Sequence, residues 1–352
     1  MRAPAFFNFN QRGWLTAFVL IALSGCQSQA PSGAANVKSY NDQGIMMFGG
    51  ITAEGSPAAK DPSVVNFKGQ TFMYYSVPSS LGWRIGVATS SDLVRWENVA
   101  TLEPAHPSEV NGFCAPAALV LGDTVHLFYQ SYNNKEKAKW SRELAAQDAI
   151  CHAWSKDGIH FQREPTNPIF RPHGAWTCGR AIDAEVVPIG DRLFLYFASR
   201  DPQQKIQLIG VAAAPLDSDF SRGNWTQLVD APILQPELPW EDKCIEAPSI
   251  IQQGKKLFMF YAGAYNNWPQ QIGVATSEDG IHWKRMSSEP FLVRGQPGSW
   301  NASESGHPGI FRDRDGQTYL FFQGNNDRGK SWYLSNVKIQ WNESGPSLIR
   351  SP

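Results

Sequence analysis

The sequence predicts an all-β protein, namely a five-bladed β-propeller with four antiparallel strands in each blade. The first observation is a repeat in which an apolar strand leads into a glycine turn and then an aromatic-rich strand. The five copies start 54, 68, 63 and 61 residues apart, at Asp61, Ala115, Asp183, Glu246 and His307. A period of this size is typical of repeated supersecondary units. The second observation is that helical periodicity is almost absent, which favours units built from strands.

The continuation of each repeat supplies the third observation. The segment from Arg84 to Trp96 matches the segment from Gln271 to Trp283, and Cys151 to Phe161 is a third version. Each contains a strand, a Ser-x-Asp turn that carries Gly in two of the three copies, and an aromatic residue that opens a fourth strand. Asp-Gly supplies the positive φ that a tight hairpin turn needs. Four strands per repeat form a propeller blade, so we expect the propeller to extend over residues 44–345.

One polar stretch, from Asn134 to Asp148, interrupts the second repeat. It combines helical propensity with a position between two predicted strands. We expect it to be a lid-like insertion or a surface loop.

The N-terminal residues 1–26 are typical of a processing segment. Two arginines, Arg2 and Arg12, precede an apolar run from Trp14 to Leu23 that is too short to span a bilayer. The run ends in Leu-Ser-Gly-Cys, which resembles the bacterial lipobox and implies lipidation of Cys26. An ordinary signal peptide with an incidental cysteine is the alternative. Residues 27–43 are small and polar and predict a flexible tether.

Composition narrows the class of partner. The 352 residues are 42% apolar and 18% charged, include 13 Trp and 20 Phe, and carry a formal net charge of -1. There is no run of Lys and Arg, so nucleic acid is not an expected partner. Aromatic side chains without basic charge suit sugar rings, although most large aromatics are expected in the core.

Four cysteines follow Cys26, at positions 114, 151, 178 and 244. An exported domain lies in an oxidising compartment, where disulfides are possible. Four cysteines allow three pairings, and the sequence does not choose among them. A zinc site is the rival interpretation, but no Cys-x-x-Cys spacing supports it.

The first residues of the repeats carry the candidate chemistry. In a propeller the first strand of each blade lines the central axis, so equivalent positions gather at one mouth. This predicts that Asp61, Asp183, Glu246 and His307 surround a shared pocket, with Ala115 as the inert copy. Three carboxylates held together repel one another and raise each other's pKa. A glycosidase needs such a set, because one carboxylate activates water and one carboxylic acid protonates the leaving oxygen.

These motifs resemble family 43 of the glycoside hydrolases and its clan relatives. The matching residues are Lys60-Asp61-Pro62, Ile182-Asp183-Ala184 and Glu246-Ala247-Pro248. The resemblance implies an inverting enzyme in which Asp61 is the general base, Asp183 orients the acid and raises its pKa, and Glu246 is the general acid. It also implies that His307 helps to hold a structural Ca²⁺ near the axis. The family usually has Gly where this chain has Ala247.

Candidate substrate-binding residues lie in or near loops at the same end, and Glu185 is two residues from Asp183 on the same strand. The candidates are Trp83, Phe113, Arg180, Trp268 and His307. We expect a monomeric, lipid-anchored, exo-acting glycosidase of the bacterial outer membrane that cleaves plant or algal arabinosides, xylosides or galactosides.

Three alternatives stay open. One is a non-catalytic carbohydrate-binding lipoprotein. Another is a relative of the α-1,3-anhydrogalactosidases, in which a histidine is the acid. A third, a phosphorolytic enzyme, needs a basic phosphate pocket, and no basic cluster is visible near the repeat starts.

Overall fold

The structure is a computed structural model that describes residues 50–51, 55–80, 82–132 and 147–349. The predicted lipidation site Cys26, the predicted tether and most of the polar stretch from Asn134 to Asp148 lie outside these residues. Within the described ranges, no helix is both long and apolar enough to cross a membrane.

The predicted propeller is confirmed. A short hairpin of β1 (Gly50–Ile51) and β2 (Pro57–Ala58) precedes five four-stranded antiparallel sheets, each built from four strands that are consecutive in the chain. The blades are numbered in chain order. Blade one contains β3 (Lys60–Phe67), β4 (Gln70–Ser79), β5 (Gly82–Ser90) and β6 (Glu97–Thr101), and blade two contains β7 (Phe113–Leu121), β8 (Thr124–Ser131), β9 (Ala149–Ser155) and β10 (Gln162–Arg163). Blade three contains β11 (Ile182–Ile189), β12 (Arg192–Arg200), β13 (Gln207–Pro215) and β14 (Thr226–Gln227); blade four contains β15 (Ile245–Gln253), β16 (Lys256–Gly263), β17 (Gln271–Ser277) and β18 (Lys284–Arg285); blade five contains β19 (Glu304–Arg312), β20 (Thr318–Asn325), β21 (Tyr333–Asn342) and β22 (Gly345–Leu348). Single 3₁₀ turns lie at Pro107–Glu109, Arg222–Asn224 and Pro239–Glu241.

The first strands of the blades contact one another in cyclic order. Strand β3 contacts β7, β7 contacts β11, β11 contacts β15, β15 contacts β19, and β19 contacts β3 again. Backbone hydrogen bonds also join the segment before blade one to blade five, because Ala59 N donates to Trp332 O at 3.1 Å and Trp332 N donates to Pro57 O at 2.8 Å. These contacts close the ring around a central axis.

The core lies between neighbouring blades. The second strand of a blade has an almost continuous apolar run, because both of its faces are buried. In β16, Met259 and Tyr261 pack against blade three, whereas the alternating Phe258 and Phe260 pack against blade five. The same alternation recurs around the ring. In the described chain, one apolar cluster therefore fills the interface between each pair of neighbouring blades.

The connections between the third and fourth strands differ from the predicted tight hairpins. In the three blades that carry the Ser-x-Asp motif, six residues separate these two strands, as between Ser155 and Gln162. The expected positive φ is present at Gly158 (81°) and Gly280 (77°). The aspartate acts by capping instead: Asp157 Oδ1 accepts from Ile159 N at 2.9 Å and from His160 N at 2.8 Å. The predicted tight hairpin turn is therefore a six-residue loop in these three blades, although Asp shapes the loop and Gly has the expected positive φ in two of them.

A narrow axial channel with a cavity of about 70 Å³ runs between the first strands. Glu185 lines it and links blades three and four, since its Oε1 accepts from Ile250 N at 2.8 Å and from Ser249 Oγ at 3.3 Å. Burial raises the pKa of Glu185 to about 8. The folded protein therefore binds this proton more tightly than the unfolded chain does, and its stability falls as the pH rises from the ordinary pKa of Glu towards 8.

We predict that Glu185→Gln flattens the pH dependence of the free energy of unfolding between pH 5 and pH 8. The substitution keeps the shape of the side chain but removes the ionisation, and each unit of pKa shift corresponds to about 1.4 kcal/mol. Urea denaturation at the two pH values measures the change. The matched control is Glu278→Gln, at an exposed position. If Glu185→Gln and the control have the slope of the wild type, Glu185 is not the titrating group.

Candidate active site

Each inner strand has a β-bulge near its start, where its pairing with the second strand is interrupted. The first residue of the bulge is in the left-handed region in every blade, although none is glycine: Asp61 (φ 54°), Ala115 (49°), Asp183 (50°), Ala247 (48°) and His307 (45°). Such backbone is costly for residues with a Cβ, and it concentrates at functional sites. The bulges therefore aim one residue from each blade at the same mouth.

The register of blade four corrects the sequence prediction. Ala247, and not Glu246, is the structural equivalent of Asp61, and Glu246 is the equivalent of Lys60. The prolines contain the signal that identifies this register, since Pro62 and Pro248 each follow the residue with positive φ. Although its position is one residue earlier, the side chain of Glu246 still reaches the centre of the site.

His307 lies between two carboxylates at the axis. Its Nδ1 is 2.7 Å from Asp61 Oδ1, and its Nε2 is 3.2 Å from Glu246 Oε1. Asp183 completes the group, because its carboxylate approaches both Glu246 and His307, with one ligand atom of each residue within 4.8 Å of the others. The structure thus brings together the four residues that the repeat starts predicted.

Side chains from preceding blades hold the backbone of the two aspartates. Gln323 Oε1 accepts from Asp61 N at 3.1 Å, and Gln130 Oε1 accepts from Asp183 N at 3.3 Å. Both glutamines lie on second strands. Because each bulge is tied to its neighbour, the aspartates have little freedom to move apart. Asp183 Oδ2 is buried and has no hydrogen-bond partner among the described residues, so it is available to a ligand.

Three amides anchor Glu246. Gln270 Nε2 donates to its Oε1 at 2.7 Å, Asn266 Nδ2 donates to the same oxygen at 3.1 Å, and Gln207 Nε2 donates to Oε2. Hydrogen bonds of this kind favour the ionised form of a carboxyl group. Sequence reasoning missed these three residues because they lie outside the repeat starts and their motifs are not distinctive.

The pKa values of the ionisable groups in the site are shifted in different directions. Burial alone would raise the pKa of Asp61, but the charges of His307 and then of Lys60 outweigh it and hold this pKa below its usual value. Burial acts in the same way on Glu246, whose pKa is lowered by the hydrogen bond and charge of His307 and by Lys60. The two carboxylates in turn raise the pKa of His307 well above its ordinary value, against the effect of burial.

Asp183 behaves differently. Burial raises its pKa to about 7, and the charges of Glu246 and Asp61 contribute in the same direction. Among Asp61, Asp183 and Glu246, Asp183 is therefore the carboxyl group that takes up a proton most readily near neutral pH. Because carboxylate oxygens of Asp183 and Glu246 lie within 4.8 Å of each other, the ionisation of one affects that of the other.

A pocket of about 160 Å³ opens above this group, and Asp61, Asp183 and His307 separate it from the axial channel. Trp83 and Arg180 line the pocket, as predicted. Arg180 Nε is held at 3.0 Å from Asp148 Oδ2, at the end of the polar stretch in blade two.

Lys60 also lines the pocket. Sequence reasoning named it only as the neighbour of Asp61 and assigned it no role. Its Nζ donates to Asn266 Oδ1 at 2.8 Å and lies 4.4 Å from the ring centroid of Trp332 and 5.7 Å from that of Trp83. The charges of Asp61 and nearby carboxylates raise the pKa of Lys60, although its burial acts in the opposite direction. Lys60 therefore supplies a fixed positive charge beside the carboxylates.

Two predicted sugar-binding residues are not in the pocket. Phe113 is fully buried between blades one and two, where its ring packs against Tyr129. It cannot contact a sugar, so its assignment was wrong. Trp268 is 73% exposed and is not among the residues that line the pocket.

The four cysteines of the described chain, at positions 114, 151, 178 and 244, are all free. Burial raises the pKa of the Cys114 thiol, whose Sγ lies 3.2 Å from Tyr132 Oη. The structure therefore contains none of the disulfide pairings that the sequence left open.

The residues near the axis are poor ligands for the calcium ion that the resemblance implies. Calcium takes six to eight oxygen ligands, whereas the cluster of Asp183, Glu246 and His307 offers two carboxylates and one imidazole. Both ring nitrogens of His307 already face carboxylates. Calcium stays a prediction.

Comparison with known proteins gives sequence matches over part of the chain and structural matches over most of it. An uncharacterised protein of Mycobacterium tuberculosis (strain CDC 1551 / Oshkosh) is 29% identical over 45% of this chain and 53% of its own length. A β-1,2-mannobiose phosphorylase of Thermoanaerobacter sp. (strain X514) is 28% identical over 34% of this chain and 42% of its own length. The chain thus spans about half the length of these relatives.

A crystal structure described as an endo-1,4-β-xylanase from Bacteroides thetaiotaomicron has the same fold. It superimposes with a TM-score of 0.66 at 20% identity, over 84% of this chain and 95% of that one. The sequence model described as glycosyl hydrolases family 43 matches residues 56–345, which include all five blades apart from the last residues of β22. The chain therefore belongs to family 43 of the glycosyl hydrolases.

Proposed function

We propose that the protein is an inverting, exo-acting glycoside hydrolase. The observation that carries the proposal is the pair of buried carboxylates, Asp61 and Glu246, on opposite sides of His307, beside a third carboxyl group, Asp183, whose pKa burial raises to about 7. Family membership supports it. A binding protein has no need to hold two carboxylates and a protonated carboxyl group together, since this arrangement costs free energy.

In the proposed reaction, Asp61 accepts a proton from water as the water oxygen bonds to the anomeric carbon. The bond between that carbon and the glycosidic oxygen breaks, and the leaving oxygen takes a proton from Glu246. Asp61 then holds one proton and Glu246 has lost one, so a proton must return to Glu246 before the next turnover.

Asp183 is the source of that proton in our proposal, and it regains a proton from water after Asp61 has released the one that it accepted. The hydrogen bonds to Glu246 favour its ionised form in the free protein, whereas Asp183 retains a proton near neutral pH. We propose that Asp183 shares this proton with Glu246 when a sugar enters and excludes water. His307, whose Nε2 faces Glu246 Oε1 at 3.2 Å, holds the glutamate in place.

The spacing of the carboxylates supports inversion. An imidazole ring and contacts of 2.7 and 3.2 Å lie between Asp61 and Glu246. Contacts at opposite edges of a ring favour a carboxyl separation above the about 5–5.5 Å of retaining enzymes, and an inverting enzyme needs the extra room for water.

The dimensions of the pocket support exo action. Its volume of about 160 Å³ is below the range of about 300–1,000 Å³ that is usual for ligand sites. Such a pocket suits one terminal sugar better than the middle of a chain. We propose arabinosides, xylosides or galactosides of plant or algal oligosaccharides as substrates.

The α-1,3-anhydrogalactosidase-like alternative makes His307 the acid. One observation favours it, because the flanking carboxylates keep the imidazole protonated. Both ring nitrogens already face carboxylates, however, so His307 would have to leave Glu246 in order to reach a leaving oxygen.

We predict that Asp61→Asn and Glu246→Gln each lower the turnover of oligosaccharide by about 10²–10⁴-fold, because each removes one of the two proton-transfer groups. Sugar release from a panel of plant and algal oligosaccharides measures the rates, with circular dichroism to verify folding. Glu278→Gln, at an exposed site, is the matched control.

In the same assay, proton NMR of the wild-type reaction should detect the product anomer of inverted configuration first. Rates near that of the wild type in folded Asp61→Asn or Glu246→Gln would refute the assignment, and a first product of retained configuration would refute inversion.

We also propose that lipidation at Cys26 anchors the enzyme to the bacterial outer membrane, since Leu23-Ser24-Gly25-Cys26 directly follows an apolar run. The prediction is that Cys26→Ser abolishes incorporation of radiolabelled palmitate and moves the protein from the outer-membrane fraction to the soluble fraction of the cell. Cys178→Ser is the matched control, because Cys178 is a free thiol outside the lipobox. Unchanged labelling of Cys26→Ser would contradict the proposal.

A further inference from the structure

A second cavity of about 590 Å³ lies at the boundary of blades three and four, at the same mouth as the active site. Six residues line it: Arg200, Gln204, Lys205, Ile206, Lys243 and Tyr265. Three of them are cations, and none of the described residues that line it is acidic. This local excess of positive charge contrasts with the net charge of -1 of the whole chain.

The loop that carries Lys205 is held in shape by its own hydrogen bonds. Asp201 Oδ1 accepts from Lys205 N at 2.6 Å and from Ile206 N at 2.7 Å. The opposite wall is tied to the sheet, because Gln207 N donates to Lys243 O at 2.9 Å. The backbone of the cavity is therefore formed before any ligand binds, which lowers the entropic cost of binding.

The side chain of Gln207 connects the cavity to Glu246. Arg200 Nε donates to Gln207 Oε1 at 3.0 Å, and Gln207 Nε2 donates to Glu246 Oε2. On the other side, the ring of Tyr265 lies 5.6 Å from the guanidinium of Arg200, and the adjacent Asn266 donates to Glu246. A group bound in this cavity would lie on the Glu246 side of the reacting bond.

That side receives the leaving group, because the general acid protonates the leaving oxygen. We infer that the basic cavity, hereafter the anion subsite, binds a carboxylate or sulfate group on the leaving-group part of the saccharide. The inference rests on the proposed function, since it takes Glu246 to be the acid. It narrows the substrates to saccharides with an acidic sugar next to the scissile bond.

The cavity offers partners for both the anionic group and a hydroxyl of an acidic sugar, and the second of these distinguishes the sugar from a bare ion. Arg200 and the two lysines offer charge-assisted hydrogen bonds to an oxyanion. Gln204 Oε1 is buried and has no hydrogen-bond partner among the described residues, so it can accept from a sugar hydroxyl.

Inorganic phosphate is another anion that this basic cavity could bind. The sequence prediction that no basic cluster lies near the repeat starts was wrong, and one relative of the chain is a phosphorylase. In an inverting phosphorolysis, however, phosphate replaces water and attacks from the side of Asp61. The anion subsite lies beside Glu246, so its position favours a substituent of the leaving group.

The test is calorimetric titration of the full-length protein with galacturonate, galactose 6-sulfate and neutral galactose. We expect at least one anionic sugar to bind about tenfold or more tightly than galactose. The double variant Lys205→Gln/Lys243→Gln should remove most of this preference and leave the affinity for galactose unchanged. Lys255→Gln, an exposed lysine in the turn between β15 and β16, is the matched control.

Equal affinities of the wild type for the three sugars, absence of binding, or a preference that survives in the double variant would each overturn the anion subsite. Faster sugar release on addition of inorganic phosphate, with a sugar phosphate as product, would also overturn it. Binding does not require turnover, so a protein that binds acidic sugars without cleaving them would retain the anion subsite and refute the proposed hydrolase.

Discussion

The bulge at the start of each inner strand is the constraint on which the site depends. A regular strand would turn successive side chains to opposite faces of the sheet. The bulge breaks this alternation and holds the first bulge residue of every blade at positive φ. Asp61, Asp183 and His307 occupy this position in three blades, whereas Ala115 and Ala247 occupy it in the other two. The scaffold is thus fivefold, but its chemistry is not.

His307 makes the resulting charges compatible. Three buried carboxyl groups within a few ångströms would repel strongly if all were ionised. The imidazolium of His307 lies between Asp61 and Glu246 and stabilises both as anions, and Lys60 adds a second positive charge nearby. For Asp183, burial outweighs the charge of the imidazolium and raises the pKa to about 7, so this carboxyl group takes up a proton more readily than the other two. The site therefore has different protonation states for residues of similar chemistry, which is what acid–base catalysis requires.

Much of this arrangement was predictable from the sequence. The repeat and its glycine turns predicted the five blades, and the repeat starts predicted that Asp61, Asp183, Glu246 and His307 would meet. The register of Glu246 was misjudged, since acidic residues were aligned where the prolines Pro62 and Pro248 mark the true equivalence.

The remaining errors have physical causes too. Phe113 was assigned to the pocket because it is aromatic and near a repeat start, but the alternation of its strand directs it into the core. The anion subsite was missed because Arg200, Lys205 and Lys243 come from separate segments, and no local pattern reports contacts between loops of neighbouring blades.

The central claim, that Asp61 and Glu246 have different roles, is tested most directly by varying the leaving group. Rates of Asp61→Asn and Glu246→Gln should be measured with two glycosides of the sugar that the wild type releases, one with an alkyl and one with a dinitrophenyl leaving group. A dinitrophenolate departs without protonation. Loss of the acid should therefore slow the alkyl glycoside strongly and the dinitrophenyl glycoside little, whereas loss of the base should slow both. The account would be contradicted if Glu246→Gln slowed the alkyl and dinitrophenyl glycosides equally. It would also be contradicted if Asp61→Asn slowed only the alkyl glycoside.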